Sequence, residues 1–241
     1  MMIEFQGITK CYGEVVALDD ISLNIGAEIF ALLGANGAGK STLLKLILGI
    51  IEPDTGRVLV CGHEVKHQPV HVRKLIGYLP ENLLLYERLT GYEFLRFVAG
   101  VKGLDRQARA QIDIELESFG LHAKRDLLIR QYSFGMKKRI GLIAALLGEP
   151  QILILDEPLN GLDVETIALT RARIKELHSN GKTIIFSSHI MDFVERIATR
   201  AAILRRGRVA AEGTTDSLRE RANIAEGHFE EVFFHFADTQ K

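Results

Sequence analysis

The residues best suited to chemistry lie in two short segments. The first is Gly34-Ala35-Asn36-Gly37-Ala38-Gly39-Lys40-Ser41-Thr42, which fits G-x-x-x-x-G-K-[ST] from Gly34 to Ser41. Its glycines let backbone N–H groups converge on phosphate oxygens. A helix opening at its end would add a favourable dipole. Lys40 can reach β- and γ-phosphates, and Ser41 can ligate Mg²⁺. The second segment is Ile152-Leu153-Ile154-Leu155-Asp156-Glu157-Pro158, two carboxylates after an apolar run. Asp156 is placed to hold Mg²⁺, in part through water, and Glu157 to orient or deprotonate an attacking water. Singly, one could be a glycine-rich turn and the other an acidic turn. Together they specify binding and hydrolysis of a nucleoside triphosphate.

The elements around them have the order such a site requires. Ile29–Leu33 is a continuous apolar run, as in strands covered on both faces. Ser41–Ile50 carries leucines and isoleucines at helical spacing. Strand, loop and helix therefore follow one another over residues 29–50. Ligands of open α/β sheets bind at the carboxyl ends of the strands, which is where both segments fall. Before them, Ile3–Ile8, Val15–Leu18 and Ser22–Ile25 read as strands, the last two split by a turn at Asp19-Asp20. Pro53–Gly62 reads as a turn and a strand, and Ile76–Leu79 as a short strand. From Leu83 to Gly148 the texture is helical, over Glu93–Val101, Arg106–Phe119 and Lys137–Leu147. Thr90 and Glu93 make a capping-box pattern at the start of the first. Alternation then returns, with strands at Gln151–Leu155 and Thr183–Ser187 and helices at Val164–Ser179 and Met191–Ala198. Arg200–Leu204 and Arg208–Ala211 read as a final strand pair, and Thr215–Arg221 as a helix. The phenylalanines of Phe229–Phe236 predict an amphipathic helix packed on the core.

The helical stretch holds Tyr132-Ser133-Phe134-Gly135-Met136-Lys137-Lys138-Arg139. Here the chain resembles the ABC ATPase family, whose signature reads LSGGQ-x-x-R; Ser133, Gly135 and Arg139 match. The resemblance covers residues 3 to about 213. It implies a RecA-like P-loop NTPase core with a parallel sheet (residues 1–82 and 149–212) and an antiparallel β lobe. It also implies a helical subdomain (83–148) and a C-terminal helical tail (213–241), all one ABC ATPase domain. Ser133 and Gly135 would contact the ATP held by an opposite subunit, so that two ATP molecules are sandwiched in a dimer. Tyr12 would stack on adenine. Asn160 and Asp163, around Gly161-Leu162, would line the dimer interface, and His189 would contact the γ-phosphate. Lys40, Glu157 and His189 form the implied catalytic set; Ser41, Asp156 and Glu81 are implied around Mg²⁺.

The chain departs from the family pattern at Phe134, where a glycine is usual, and at Met136, where a glutamine is. Glu81 stands where the family has a glutamine. These variants, with the Leu89–Leu95 stretch, resemble the branch serving exporters with separate permease subunits. The implied protein is an ATP-hydrolysing subunit that closes as a dimer, a homodimer in the simplest case, on ATP and Mg²⁺. It would drive an integral-membrane permease from the cytoplasmic face of the membrane. The alternative is an ABC ATPase acting on ribosomes or DNA; the ribosomal kind usually has two such domains in a chain, and the DNA-repair kind long coiled coils. No Asn-Lys-x-Asp sequence supports a GTPase.

Composition agrees. The 241 residues carry 30 basic and 31 acidic side chains, which gives no electrostatic reason to expect nucleic acid as a partner. No apolar run approaches the ~20 residues of a membrane helix, and the opening residues predict no signal peptide. Cys11 and Cys61 read as reduced thiols. His63, His67 and His71 recur every four residues, but Pro69 lies among them, and a solvated loop is the simpler reading. The basic run Lys137–Arg139 reads as a solvated helix face or as charge beside a phosphate.

Overall fold

A computed structural model of the chain describes residues 1–104, 107–224 and 227–238. An antiparallel lobe comes first. Strands β1 (Ile3–Tyr12), β2 (Val15–Ile25), β4 (Thr55–Val60) and β5 (His63–Glu64) form a sheet in the order β2-β1-β4-β5. β2 is one strand, not two. The chain passes through Asp20 with φ +51° and the pairing with β1 shifts register nearby, so the turn expected at Asp19-Asp20 is a bulge.

The second sheet positions the chemistry. Its strands are β3 (Ile29–Leu33), β6 (Ile76–Leu79), β7 (Ile152–Leu155), β8 (Thr183–Ser187), β9 (Arg200–Arg205) and β10 (Arg208–Gly213). They run in the order β10-β9-β3-β8-β7-β6, parallel except for the β9–β10 pair. Every residue of β3, β7 and β8 is buried, which is why β3, β7 and the middle of β8 are continuously apolar. Side chains alternate between two cores. Ile29, Ala31 and Leu33 face one, with most of the helices. Phe30 and Leu32 face the other, shared with the antiparallel lobe and with α1 (Lys40–Ile47).

Between β6 and β7 lie α3 (Gly91–Val101), α4 (Gln107–Ser118) and α5 (Phe134–Leu146), with no strand among the described residues there. The capping box of α3 is made in full. Glu93 N donates to Thr90 Oγ1 at 3.2 Å, and Thr90 N donates to Glu93 Oε2 at 2.8 Å. Helix α5 starts three residues earlier than its periodicity suggests, because the Ser133 hydroxyl caps it by accepting from Met136 N. The helix expected from Arg106 begins at Gln107; Arg106 lies outside the described residues.

The histidine stretch is a loop only at His67, in the turn between β5 and the next helix. His63 lies in β5 and His71 in α2 (Pro69–Leu75), where Pro69 takes the first helical position. The His63 and His71 rings meet edge to face at 4.3 Å. The basic run Lys137–Arg139 is not a solvated face. Lys138 is buried, and its ammonium donates to the carbonyl of Glu81 at 2.9 Å. Burial lowers its pKa, opposed by the charges of Glu81, Asp156 and Glu157. Arg139 reaches the Phe119 carbonyl, and Lys137 pairs with Glu87 at 2.6 Å.

After β7 come α6 (Val164–Ser179), α7 (Met191–Ile197), α8 (Thr215–Ala222) and α9 (Phe229–Asp238). No helix of the described residues is long and apolar enough to cross a membrane.

Candidate functional site

Three buried strands deliver their carboxyl ends to one place. β3 hands over to Gly34–Gly39, β7 to Asp156 and Glu157, and β8 to Ser188 and His189. Gly39 caps α1 with φ +110°. A Cβ there would lie 2.7 Å from Leu18 Cδ2 and 2.8 Å from the Ala17 carbonyl, so the loop accepts no larger residue at this point. Lys40 opens α1 and is itself buried. Its ammonium donates to the carbonyls of Gly34 at 2.7 Å and Ala35 at 3.3 Å, which holds a positive charge against the loop. The N-terminus of α1 adds its dipole to that charge.

The acidic side is tightly built. The Ser187 hydroxyl donates to Asp156 Oδ1 at 2.7 Å and accepts from Glu157 N at 2.8 Å. Glu157 has φ +46°, a left-handed backbone that an L side chain rarely adopts. His189 Nδ1 is 3.0 Å from Glu157 Oε2, and the imidazole is largely exposed. Tyr78, in β6, stands behind these groups. Burial, then the negative charges of Asp156 and Glu81, push its phenol up to about 12.

A cavity of about 690 Å³ joins the two sides. Tyr12, every residue from Gly34 to Thr42, Glu81, Asp156, Glu157, Asn160 and His189 border it. Its volume suits a nucleotide-sized ligand. Ser133, Gly135 and Asp163 do not line it. They sit where the N-termini of α5 and α6 pack together: Asp163 caps α6 by accepting from Thr166 N at 2.8 Å, and a Cβ on Gly135 would lie 3.2 Å from Thr166 Oγ1. Phe134, more than half exposed, lies over Gly161.

Sequence reasoning missed Ser187 and five residues of the cavity border, Ala17 and Met191 among them. Ser187 links the Asp156 carboxylate to the backbone N–H of Glu157. Glu230, Phe233 and Phe234 of α9 border the same cavity. The serine stands in an apolar strand next to a singled-out histidine, which was a usable signal. The α9 residues carry no local signal, because only the tertiary fold brings a helix from the end of the chain here.

The fold and the loop together define a nucleotide-binding α/β protein of the P-loop class. A family model described as ABC transporter matches residues 18–160, and the chain belongs to that family. It is 41% identical over 210 residues to the ABC transporter ATP-binding protein all4389 of Nostoc sp. (strain PCC 7120), covering 85% of this chain and 62% of that one. The chain thus spans under two thirds of that relative's length. It is 36% identical over 222 residues to the bacitracin transport ATP-binding protein BcrA of Enterococcus faecalis, covering 91% of this chain and 71% of that one. Among solved structures, one described as the ATP binding subunit of an ABC transporter superposes with TM-score 0.90 at 32% identity, covering 98% of this chain and 99% of that one. A dimeric ATP-binding cassette, MJ0796, in a post-hydrolysis state with ADP and Pi, superposes with TM-score 0.80 at 25% identity, over 88% of this chain and 98% of that one.

Proposed function

We propose that this chain binds ATP with Mg²⁺ in the 690 Å³ cavity, hydrolyses it, and powers export through a separate membrane permease. One observation carries the reading: the phosphate loop, Lys40, Asp156, Glu157 and His189 all border a single cavity. Lys40 and the loop amides neutralise the phosphates. Tyr12, half exposed at the cavity rim, offers a ring for the base to stack on. Glu157 holds the attacking water, and His189 steadies Glu157 and meets the γ-phosphate.

The donor chemistry fits Mg²⁺. Ser41, Asp156 and Glu81 offer hard oxygen donors around one cavity. Among the described residues no cluster of three or more His, Cys, Asp or Glu could hold a metal alone. Phosphate oxygens would supply further ligands, as is usual for this ion. Bound there, Mg²⁺ would offset charge on the phosphates.

The site is shared between two copies in this reading. Ser133, exposed at the N-terminus of α5 and outside its own cavity, would meet a second copy's phosphates together with the amides there. The dimeric MJ0796 cassette supports a dimer. Transport is supported by the bacitracin transport relative, and its export direction by the Nod factor export ATP-binding protein I of Burkholderia pseudomallei, 38% identical over 220 residues. A permease fits the exposed apolar side chains Leu84, Tyr86, Phe97 and Val101, with Tyr86 and Phe97 in edge-to-face contact at 5.2 Å. The chain would then lie on the cytoplasmic face of the membrane.

The test is Mg²⁺-dependent ATPase activity of the chain beside Lys40→Ala, across protein concentrations. Activity that rises more than linearly with concentration and vanishes in Lys40→Ala is expected. Activity strictly linear down to concentrations where the protein is monomeric rules out the shared site.

A further inference from the structure

Helix α9 has two working faces. Phe229 and Val232 are fully buried, and Phe236 packs partly buried beside them. Two arginines from α8 hold this inner face. The Arg219 guanidinium lies 5.8 Å from the Phe229 ring centre, and that of Arg221 lies 5.5 Å from the Phe236 ring centre. Arg219 also donates to the Gly227 carbonyl at 3.0 Å, just ahead of the helix, and pairs with Glu195. The helix is thus docked by side chains that have no part in phosphate binding.

The other face points at the nucleotide cavity. Glu230, Phe233 and Phe234 recur at the i, i+3, i+4 spacing of one helical stripe, and all three border the cavity that holds the phosphate loop, Glu157 and His189. One turn on, Ala237 borders a smaller cavity against Ala35–Ala38 and the β9–β10 turn. The helix therefore borders two cavities that both include the phosphate loop. Phe234 is 47% exposed. A helix that served only to close the core would need the 229/232/236 face and nothing apolar at 234. Scattered exposed phenylalanines need no explanation, but this one faces a nucleotide-sized cavity.

We propose that α9 is a wall of the nucleotide site, with Phe234 packing against bound ATP, so that ATP binding and α9 docking depend on each other. This rests on the ATP reading of the cavity. It adds a binding residue from the far end of the chain, outside every phosphate-binding motif. Covering the exposed half of a phenylalanine ring accounts for roughly a tenfold gain in affinity. Coupling is reciprocal, so ATP must tighten α9 by a comparable factor.

The experiment uses the full chain and the slowly hydrolysed analogue AMP-PNP with Mg²⁺. Binding is measured by calorimetry for wild type, Phe234→Ala, Phe234→Leu and Lys40→Ala. Hydrogen exchange of the α9 amides is followed in wild type with and without AMP-PNP. Phe234→Ala should bind roughly tenfold more weakly, with an unchanged unfolding midpoint, and Phe234→Leu should recover most of the loss. In wild type, AMP-PNP should slow exchange across Val232–His235. Wild-type affinity in Phe234→Ala, or α9 exchange indifferent to AMP-PNP in a wild type that binds it, overturns the proposal. The exchange result needs no variant to fold. A wild type that binds no AMP-PNP, or a Lys40→Ala that binds it equally well, sinks the ATP reading and this wall with it.

Discussion

His189 Nδ1 sits 3.0 Å from Oε2 of Glu157, while the peptide N–H of the same glutamate is held at 2.8 Å by Ser187 Oγ. Glu157 is therefore fixed at both its backbone and its carboxylate. Its left-handed φ of +46° costs on the order of 1–3 kcal/mol, which the surrounding bonds must offset. That is a reason to look for function here. Glu157→Gln keeps the shape and an acceptor but removes the charge that would draw a proton from water. ATP binding should survive. Turnover should fall by about 10²–10⁴, or about 3–5 kcal/mol of barrier. Steady-state ATPase rates beside calorimetric affinity check this; near-normal turnover would falsify Glu157 as the base.

Ser187 is the less conspicuous partner. Its single hydroxyl donates to Asp156 Oδ1 and accepts from Glu157 N, and it is fully buried. Ser187→Ala leaves a buried N–H and a carboxylate oxygen each short of a partner. A stability loss of about 1–3 kcal/mol is expected, seen as a lower urea midpoint. If the hydroxyl also orients the Asp156 carboxylate and the Glu157 backbone for the reaction, kcat should fall more than tenfold at 25 °C, where the variant is still folded. A stability loss with unchanged kcat would make Ser187 structural only.

The reading of the sequence succeeded where structure is local. Gly34–Thr42 carries strand end, turn and helix start in one stretch, so its geometry follows from local chemistry. The Thr90–Glu93 capping box is local for the same reason, and both bonds form. It failed where distant contacts decide. Lys138 looks solvated in sequence, yet the fold buries it because the Glu81 carbonyl accepts its ammonium. Asp20 reads as a turn, but pairing with β1 carries β2 straight through it. The phenylalanines of α9 read correctly as a packed helix. Nothing local marks Phe234 as facing the phosphate loop, since that depends on how α7, β9 and α9 meet.

Tyr78 reports on the negative side of the site. Its folded pKa is raised to about 12, first by burial, then by Asp156 and Glu81. A raised pKa means that the folded state keeps the proton longer than the unfolded chain, whose phenol titrates near pH ~10. Tyr78 therefore contributes stability that is full below pH ~10 and is lost as pH rises toward about 12. Tyr78→Phe cannot lose it. The stability advantage of wild type over Tyr78→Phe should be constant at pH 7–9 and should shrink between pH 10 and 11, by urea unfolding. Glu81→Gln removes one of the two charges and should lower the Tyr78 pKa. A wild-type advantage unchanged across pH 9–11 would contradict the shift.

Phe134 and Gly161 link the N-terminus of α5 to the turn before α6. Gly161 has φ +73°, and a Cβ there would come within 2.9 Å of Phe134 Cε1. Gly161→Ala then suffers twice, from left-handed strain of about 1–2 kcal/mol and from the ring. Phe134→Gly removes the ring and leaves the strain. The double variant should therefore be more stable than the two single losses added together, by about 0.5–1.5 kcal/mol in a double-mutant cycle. Additivity within 0.3–0.5 kcal/mol would mean that the two groups do not press on each other in solution. The functional arm asks more. If Phe134 holds the Asn160–Asp163 turn in place for a partner copy, Phe134→Gly should leave AMP-PNP affinity of the isolated chain intact while changing the concentration dependence of ATPase activity. If both readouts stay at wild type, Phe134 fills a surface hollow and nothing further.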